Sequence, residues 1–337
     1  MRLRQYLGLL FICFISFVCI APSNCRAEPD VIQEFYRQIE PKLLEKRFNE
    51  LDAMADDFRK SDARLPGGDQ KLFHFYIALS AIDGKVCMCR YDSSIPFARK
   101  EKLIKQWLKK RPKSLAAHIV MARMLIYYAW MARGYDYAYK LTDDQEKMYY
   151  SRLKQASGYV KALNPKQDPY IYGLYGSLAR ASANRETLDS IYAQATKQYP
   201  QWFWTYSNQA DILQKKWYGR PGELAAYIQS LSLSPGGDDG RIAYSYVSDN
   251  LINQYTYNDI YALTGLTWPL VKEAYAVREK KYGLNNNHWN NLLMFAVAGK
   301  DIPAAKLALS HIGNDWDTSL WKEQKYFDSV VTWINRH

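Results

Sequence analysis

The residues that most often carry chemistry are sparse and scattered in this sequence. No two of its histidines are four residues apart, and the H-E-x-x-H, G-x-S-x-G and phosphate-loop spacings do not occur. His118 lies on an apolar helical pattern, which favours a hydrogen-bonded core histidine over a metal ligand or a base. The five histidines are His74, His118, His288, His311 and His337. We therefore expect no bound cofactor or metal, and a binding protein rather than an enzyme.

Two cysteines flank a methionine in the triplet Cys87-Met88-Cys89. Three soft sulfur ligands suit Cu(I), but no histidine lies beside them and no second cysteine pair follows. A strained local disulfide between Cys87 and Cys89 is a further alternative, as are two inert thiols. The spacing alone leaves these alternatives open and favours the disulfide or the inert thiols over a copper site.

Paired carboxylates are the remaining catalytic candidates. Asp143-Asp144 and Asp238-Asp239 are expected in turns, where two acids could serve as acid and base on a cell-wall glycan. The glycine-rich stretch 236–240 lacks the alternating oxygens of a calcium loop and is expected to be a flexible turn. No spacing singles out one acid pair, so a glycan hydrolase is an alternative to the binding protein. A self-assembling structural protein of the envelope is a second alternative.

Aromatic side chains make up 15% of the chain, with 28 tyrosines and 10 tryptophans. Trp202, Phe203 and Trp204 are consecutive, and adjacent helical positions differ by about 100°, so they cannot all face one way. Such rings either fill wide gaps between helices or line a groove that stacks on a sugar or grips a peptide.

Two arginines lie next to glycines near these aromatic residues. Arg133 precedes Gly134, which fits a left-handed helix C-cap, and Arg220 follows Gly219. Each arginine can bond to the last helical carbonyls or present a fork to a carboxylate ligand. If the protein has a groove for a protein, peptide or glycan partner, we expect it to contain Trp130, Arg133, Tyr172, Trp204, Trp217 and Arg220.

Helical spacing of apolar residues continues almost throughout the chain after residue 30. Phe48, Leu51, Ala55 and Phe58 fall on one stripe, and no alternating strand of convincing length appears. Start and stop signals agree, for example a helix that begins after Thr267 and ends before Gly283. The sequence predicts an all-α protein.

Three prolines divide the middle of the chain into units of equal length. Pro165, Pro200 and Pro235 are spaced by 35 and 35 residues and are each preceded by a similar residue pair, and each interval between them holds two helical stretches; residues 236–266 depart from this period. The length of this unit, and the small residue Gly176 where its two helices are expected to touch, are similar to those of the tetratricopeptide helical hairpin. One hairpin cannot bury its apolar face alone, so hairpins must stack. We expect a short right-handed α-solenoid.

Several motifs resemble the bacterial family catalogued as domain of unknown function 4034. The most specific are Trp130-x-x-Arg133-Gly134 and Lys216-Trp217-Tyr218-Gly219, and the likeness extends from about residue 48 to Trp321. The resemblance implies a helical fold and a bacterial source. It implies no activity, because none is assigned to the family.

The first 27 residues are typical of a secretory signal. Arg2 and Arg4 precede an apolar run of about 14 residues, too short to span a bilayer as a helix, and Ala27 ends a cleavage motif. Cleavage removes three arginines and no acid, so the net charge falls from +11 to +8. The basic residues are dispersed among acids, which argues against nucleic-acid binding.

We therefore predict an exported protein, periplasmic or secreted, with no membrane span after cleavage. Its expected organisation is a signal peptide at 1–27, an N-terminal helical region at 28–110 and a tetratricopeptide-like repeat region at 111–337.

Overall fold

The computed structural model of the chain describes residues 31–82, 93, 95–134, 140–182 and 184–337. The predicted signal segment and the Cys87-Met88-Cys89 triplet lie outside the described residues. The signal, the disulfide and the copper alternative therefore stay predictions.

The described residues fold mainly into α-helices. No strand forms within these ranges, where one isolated antiparallel bridge pairs Arg64 with Gln70. The all-α prediction is confirmed. The helices are α1 (Val31–Leu44), α2 (Phe48–Ser61), α3 (Lys71–Ser80), α4 (Phe97–Lys110), α5 (Leu115–Arg133), α6 (Asp143–Val160), α7 (Tyr170–Ala181), α8 (Arg185–Gln198), α9 (Trp204–Ile212), α10 (Glu223–Ser230), α11 (Gly237–Ile252), α12 (Ile260–Thr264), α13 (Trp268–Tyr282), α14 (Asn286–Ala298), α15 (Ile302–Ile312), α16 (Thr318–Trp321) and α17 (Gln324–Asn335).

Local sequence explains where most helices begin and end. The Thr142 side chain accepts a hydrogen bond from the Gln145 amide, which starts α6 with a capping box. Helix α13 ends at Tyr282, where Gly283 adopts a positive φ, as its stop signal predicts. The stripe on α2 is also confirmed, because Phe48, Leu51, Ala55 and Phe58 are all buried.

Two predictions about glycines need correction. The stretch 236–240 is not a flexible turn, because α11 begins at Gly237 and carries Asp238 and Asp239 in its first turn. Carboxylates at this position are favoured by the partial positive charge of the helix N-terminus. Gly134 has φ +69° as expected but ψ −166°, so it lies in a backbone region open almost only to glycine and not in the left-handed helical region of the expected cap.

Each interval between the three prolines contains two helices. Helices α7 and α8 lie between Pro165 and Pro200, and α9 and α10 lie between Pro200 and Pro235. Consecutive helices pack on each other in the pairs α5 with α6, α7 with α8, and α14 with α15. Gly176 faces the returning helix as expected: a Cβ atom there would lie 2.9 Å from the Tyr192 hydroxyl oxygen.

The buried apolar side chains form two clusters. The first is built from α1 to α7 and includes Trp202, and the second extends from Ala179 to Ile334. Helix α5 is long and apolar enough to cross a membrane, and 56% of its most apolar window is buried inside the fold. Buried core helices are often as long and as apolar as α5, so its length and composition are weak evidence for a membrane span.

Candidate binding surface

Two tryptophans from distant parts of the chain meet at the end of α5. The ring of Trp130 lies 6.1 Å from that of Trp217, with the planes at 86°, and 5.3 Å from the ring of Tyr149. Trp130 and Trp217 are half-buried, and Tyr149 is buried. Such edge-to-face pairs favour close packing while part of each ring stays exposed to solvent.

An arginine lies over each of the two indole rings. The Arg133 guanidinium is 5.3 Å from the Trp130 ring centre, and Arg180 is 4.8 Å from that of Trp217. Arg133 also donates to the Gly134 carbonyl, and Arg180 pairs with Asp211 at 2.7 Å. The cation–π contacts hold the rings in place and put positive charge beside them.

A tight turn after α9 positions Trp217 and Tyr218. A Cβ atom on Gly219 would lie 1.7 Å from the Leu213 carbonyl oxygen, so only glycine fits there. The Tyr218 amide donates to the Ile212 carbonyl, and its hydroxyl donates to the Arg180 carbonyl. The Lys-Trp-Tyr-Gly motif is thus a structural turn that directs two aromatic side chains toward α5 and α7.

Tyr218 also borders a surface pocket of about 290 Å³. Arg185 lines this pocket and forms ion pairs with Asp189 at 2.8 Å and Glu223 at 2.5 Å. Arg220 lies at its exposed edge, where its backbone amide donates to Glu223. The Arg185 ion pairs join α8 to α10. The Arg220 guanidinium is exposed and is therefore more available than Arg185 to bind a ligand.

The electrostatic environment of the tyrosines fits a partly dry surface. Burial raises the pKa of Tyr149, and the charge of Arg133 opposes that rise. Burial likewise raises the pKa of Tyr218, against Arg180. A tyrosine hydroxyl is already neutral at physiological pH at its ordinary pKa, and these shifts leave both groups neutral. We call the set Trp130, Arg133, Tyr149, Tyr150, Arg180, Trp217 and Tyr218 the aromatic surface; Tyr150 is its most exposed ring at 50%.

The structure brings together four of the six residues predicted to bind a partner. Trp130, Arg133 and Trp217 belong to the aromatic surface, and Arg220 shares the adjoining pocket with Tyr218.

The other two predicted residues pack elsewhere. Tyr172 is buried, and its hydroxyl donates to Gln198. Trp204 is stacked on Phe73 with 3.9 Å between ring centres. Phe203 is fully buried and Trp202 nearly so. The aromatic run 202–204 therefore packs mainly in the core.

The acids considered for glycan hydrolysis lie on different helices. Asp143 and Asp144 are in the first turn of α6, not in a turn between helices. Asp239, on α11, pairs with Lys281 at 3.1 Å and accepts a hydrogen bond from Gln201. Within the described ranges, no group of three or more His, Cys, Asp or Glu side chains is arranged to hold a metal ion.

Buried ion pairs are a feature that sequence reasoning missed. Arg278 of α13 is 1% exposed, yet it contacts Asp249 at 2.7 Å and Asp69 at 3.3 Å. The sequence does indicate that Arg278 is buried, because Arg278 falls on the same helical stripe as the buried residues Val271, Ala274 and Tyr275. A charge on an apolar face predicts a buried partner.

A second buried pair lies in the N-terminal half. Lys100 is fully buried, 2.7 Å from Glu40 and 3.0 Å from the Ser93 hydroxyl oxygen. Burial lowers the pKa of Lys100 to about 8, against the opposing charge of Glu40. A Ser–Lys pair can act as nucleophile and base. Here Ser93 and Lys100 are both enclosed and Glu40 binds both, so the arrangement ties α1 to α4.

Comparison with protein-family models, curated proteins and solved structures gives no match to this chain. The resemblance to the family of unknown function 4034 therefore stays a prediction.

Proposed function

We propose that this chain is an exported helical-repeat protein that binds a partner, and that the partner docks on the aromatic surface and Arg220. The helix pairs between successive prolines support a tetratricopeptide-like stack, and the right-handed solenoid is part of the proposal. The likeness to the family of unknown function 4034 and the export by a cleaved signal are also part of it.

One observation carries the proposal: Trp130 and Trp217 meet as half-buried rings, although they come from separate helix pairs. Aromatic and arginine side chains are the residues most enriched in binding hot spots. The fold also places an exposed tyrosine, Tyr150, beside Tyr149 and an exposed arginine, Arg220, in the pocket that Tyr218 borders.

The chemistry of the surface indicates what its partner presents. Exposed aromatic ring faces accept apolar groups, such as the face of a sugar ring or a proline, and tyrosine hydroxyls supply hydrogen bonds. Arg220 supplies a forked donor for a carboxylate. We therefore propose a protein, peptide or glycan partner that carries carboxylates next to flat apolar groups.

The proposal is tested by screening the protein against immobilised peptides and neutral and acidic glycans. Tyr150→Ala/Arg220→Ala removes two exposed side chains at the surface. The matched control is Lys325→Ala/Tyr326→Ala on α17, where a lysine lies 5.2 Å from the ring of a tyrosine that is 52% exposed. We expect the wild type and the control to retain a carboxylate-bearing ligand that the surface variant loses. Equal binding by all three proteins, or no ligand for the wild type, would contradict the proposal.

The proposed export is tested separately, by measuring the intact mass of the protein recovered from the envelope fraction. The expected mass corresponds to a chain that begins near Glu28. A mass that retains residues 1–27 would contradict export by a cleaved signal.

A further inference from the structure

The outward side of α4 is strongly basic. Successive residues of an α-helix are rotated by about 100°, so the exposed cations of α4 fall within about 140° of its circumference and form a row about 17 Å long. The opposite side, with Leu103, Ile104 and Trp107, is buried. Two more exposed cations follow in the loop after α4. We call the whole set the basic face: Arg99, Lys102, Lys105, Lys109, Lys110, Arg111 and Lys113.

Few carboxylates neutralise the basic face. The Lys105 ammonium lies 2.8 Å from the Glu101 carboxylate, and the Arg111 guanidinium lies 3.0 Å from that of Asp52. The other members form no ion pair with a carboxylate among the residues that the structure describes: Arg99, Lys102, Lys109, Lys110 and Lys113. The basic face therefore presents several uncompensated positive charges to solvent.

The helices α1 and α5, which pack against α4, do not supply the missing carboxylates. Helix α5 contains no aspartate or glutamate. On α1, Glu40 is buried against Lys100, and Glu34 lies 3.7 Å from Arg37. The positive potential of the basic face is thus not cancelled by these neighbours.

The shape of the basic face indicates what it can meet. Its cations lie on the outer side of one helix, which is convex and has no walls to enclose a small anion. Lysine binds anions as a point charge on a flexible stem, without the forked geometry that selects one group. Such a row fits an extended negative surface, and each lysine near an anionic membrane strengthens binding about fivefold.

We propose that the basic face is a membrane-contact surface, which holds the folded protein against anionic phospholipid headgroups by charge and without a membrane span. The basic face and the aromatic surface have no residue in common, so the test of this proposal does not depend on the proposed function.

The probe is a pair of vesicle preparations, one of phosphatidylcholine alone and one of phosphatidylcholine and phosphatidylglycerol in equal parts. Bound protein is measured by co-sedimentation at about 0.05 M NaCl, where charges act over more than 10 Å. The quantity compared is the ratio of the partition coefficients for the anionic and the neutral vesicles. Insertion of an apolar segment such as 1–27 contributes to both coefficients, so the ratio reports mainly the electrostatic part.

The test variant removes three charges of the basic face, as Lys102→Gln/Lys109→Gln/Lys110→Gln. The matched control removes the same charge from exposed lysines on α8, α13 and α15, as Lys197→Gln/Lys280→Gln/Lys306→Gln. All six lysines are exposed, and glutamine has nearly the helix propensity of lysine, so both variants should keep their helical circular dichroism signal.

We expect the wild type and the control to prefer the anionic vesicles at least tenfold, and the basic-face variant to lose at least tenfold of that preference. Raising NaCl to about 0.5 M should abolish the preference, because salt screens the charges. Equal preference of the basic-face variant and the wild type would overturn the proposal, and so would a wild type without preference. Binding of the wild type to soluble polyphosphate but not to the anionic vesicles would also overturn it, since the partner would then be a polymer.

Discussion

Arg278 of α13 donates from Nε to the carbonyl oxygen of Gly67, in the loop before α3, over 2.6 Å. The same guanidinium lies 4.2 Å from the Tyr246 ring centre and pairs with Asp69 and Asp249. One buried side chain therefore joins the loop after α2 to α13 and α11. Because a buried charge is costly without its partners, removing one partner of this contact should destabilise the fold.

The first prediction concerns the shape of that side chain. Arg278→Lys keeps the charge but cannot reach Gly67, Asp69 and Asp249 at once, because an ammonium lacks the planar fork. We expect the free energy of unfolding, from urea denaturation, to fall by about 3 kcal/mol. The control is Arg241→Lys on α11, where a half-buried arginine pairs with Glu273 at 2.8 Å, and there we expect a loss below about 1 kcal/mol. Equal losses in the two variants would show that the three-way contact does not stabilise the fold.

A second prediction concerns pH. Burial alone would raise the pKa of Asp69, but His74 and Arg278 outweigh it and hold this pKa well below its ordinary value. Because the pKa of Asp69 is lower in the folded state than in the unfolded chain, the ionised carboxylate of Asp69 stabilises the fold above pH 4. As the pH falls below 4, Asp69 of the unfolded chain takes up a proton first, and this contribution to the free energy of unfolding is lost. Asp69→Asn should therefore be less stable than the wild type at pH 7, and the difference should narrow by about 1 kcal/mol at pH 3.

The comparison of the wild type with Asp69→Asn removes the contribution of other acids. Asp168, for example, has its pKa raised by burial and so acts with the opposite sign, but it is present in both proteins. The measurement is urea denaturation of both proteins at pH 7, 5, 4 and 3. A difference in stability that stays constant or grows toward pH 3 would refute the role assigned to Asp69.

The third prediction tests the contact between α7 and α8. Gly176→Leu must displace the Tyr192 hydroxyl, which would be 2.9 Å from the new Cβ atom, and overpacking of this kind costs about 1 to 3 kcal/mol. Gly173→Leu, one turn earlier on α7, meets no atom within 4 Å and should gain up to about 1 kcal/mol from helix propensity. Thermal melts should move in opposite directions for the two variants. A higher midpoint for Gly176→Leu would mean that this helix contact is wrong.

A fourth prediction tests how the aromatic surface is positioned. Gly219→Ala puts a methyl group 1.7 Å from the Leu213 carbonyl oxygen, so the turn must open and Trp217 must leave Trp130. We expect the near-ultraviolet circular dichroism of the tryptophans to decrease and stability to fall by more than about 2 kcal/mol. Gly222→Ala, in the same loop, carries only backbone strain and should cost about 1 kcal/mol with the aromatic signal kept. An unchanged aromatic signal in Gly219→Ala would contradict the assigned turn.

The helices were predictable from the sequence because their signals are local. Apolar stripes, as in Phe48 to Phe58, and stop residues such as Gly283 act within a few turns of one helix. In the stretch 236–240 the glycines predict a turn, whereas the carboxylates of Asp238 and Asp239 favour a helix start, and the helix α11 begins there at Gly237.

The candidate sites were predictable only in part, because their contacts are between distant residues. Trp130 and Arg133 could be proposed from one segment and Trp217 from another, but nothing in the sequence shows that they meet. Trp204 belongs to an equally aromatic run and packs on Phe73 instead. The burial of Arg278 was detectable from its place on an apolar stripe, while its partner Gly67 depends on how the whole chain folds back.

The most direct test of the proposed function is the dissociation constant, by isothermal titration calorimetry, of the strongest ligand found in the screen. It is measured for the wild type, for Tyr150→Ala/Arg220→Ala and for Lys325→Ala/Tyr326→Ala, after circular dichroism has shown that all three are folded. We predict at least a tenfold weaker constant for the surface variant, and no more than a twofold change for the α17 control. Equal constants for the surface variant and the wild type would show that the partner does not bind at the aromatic surface.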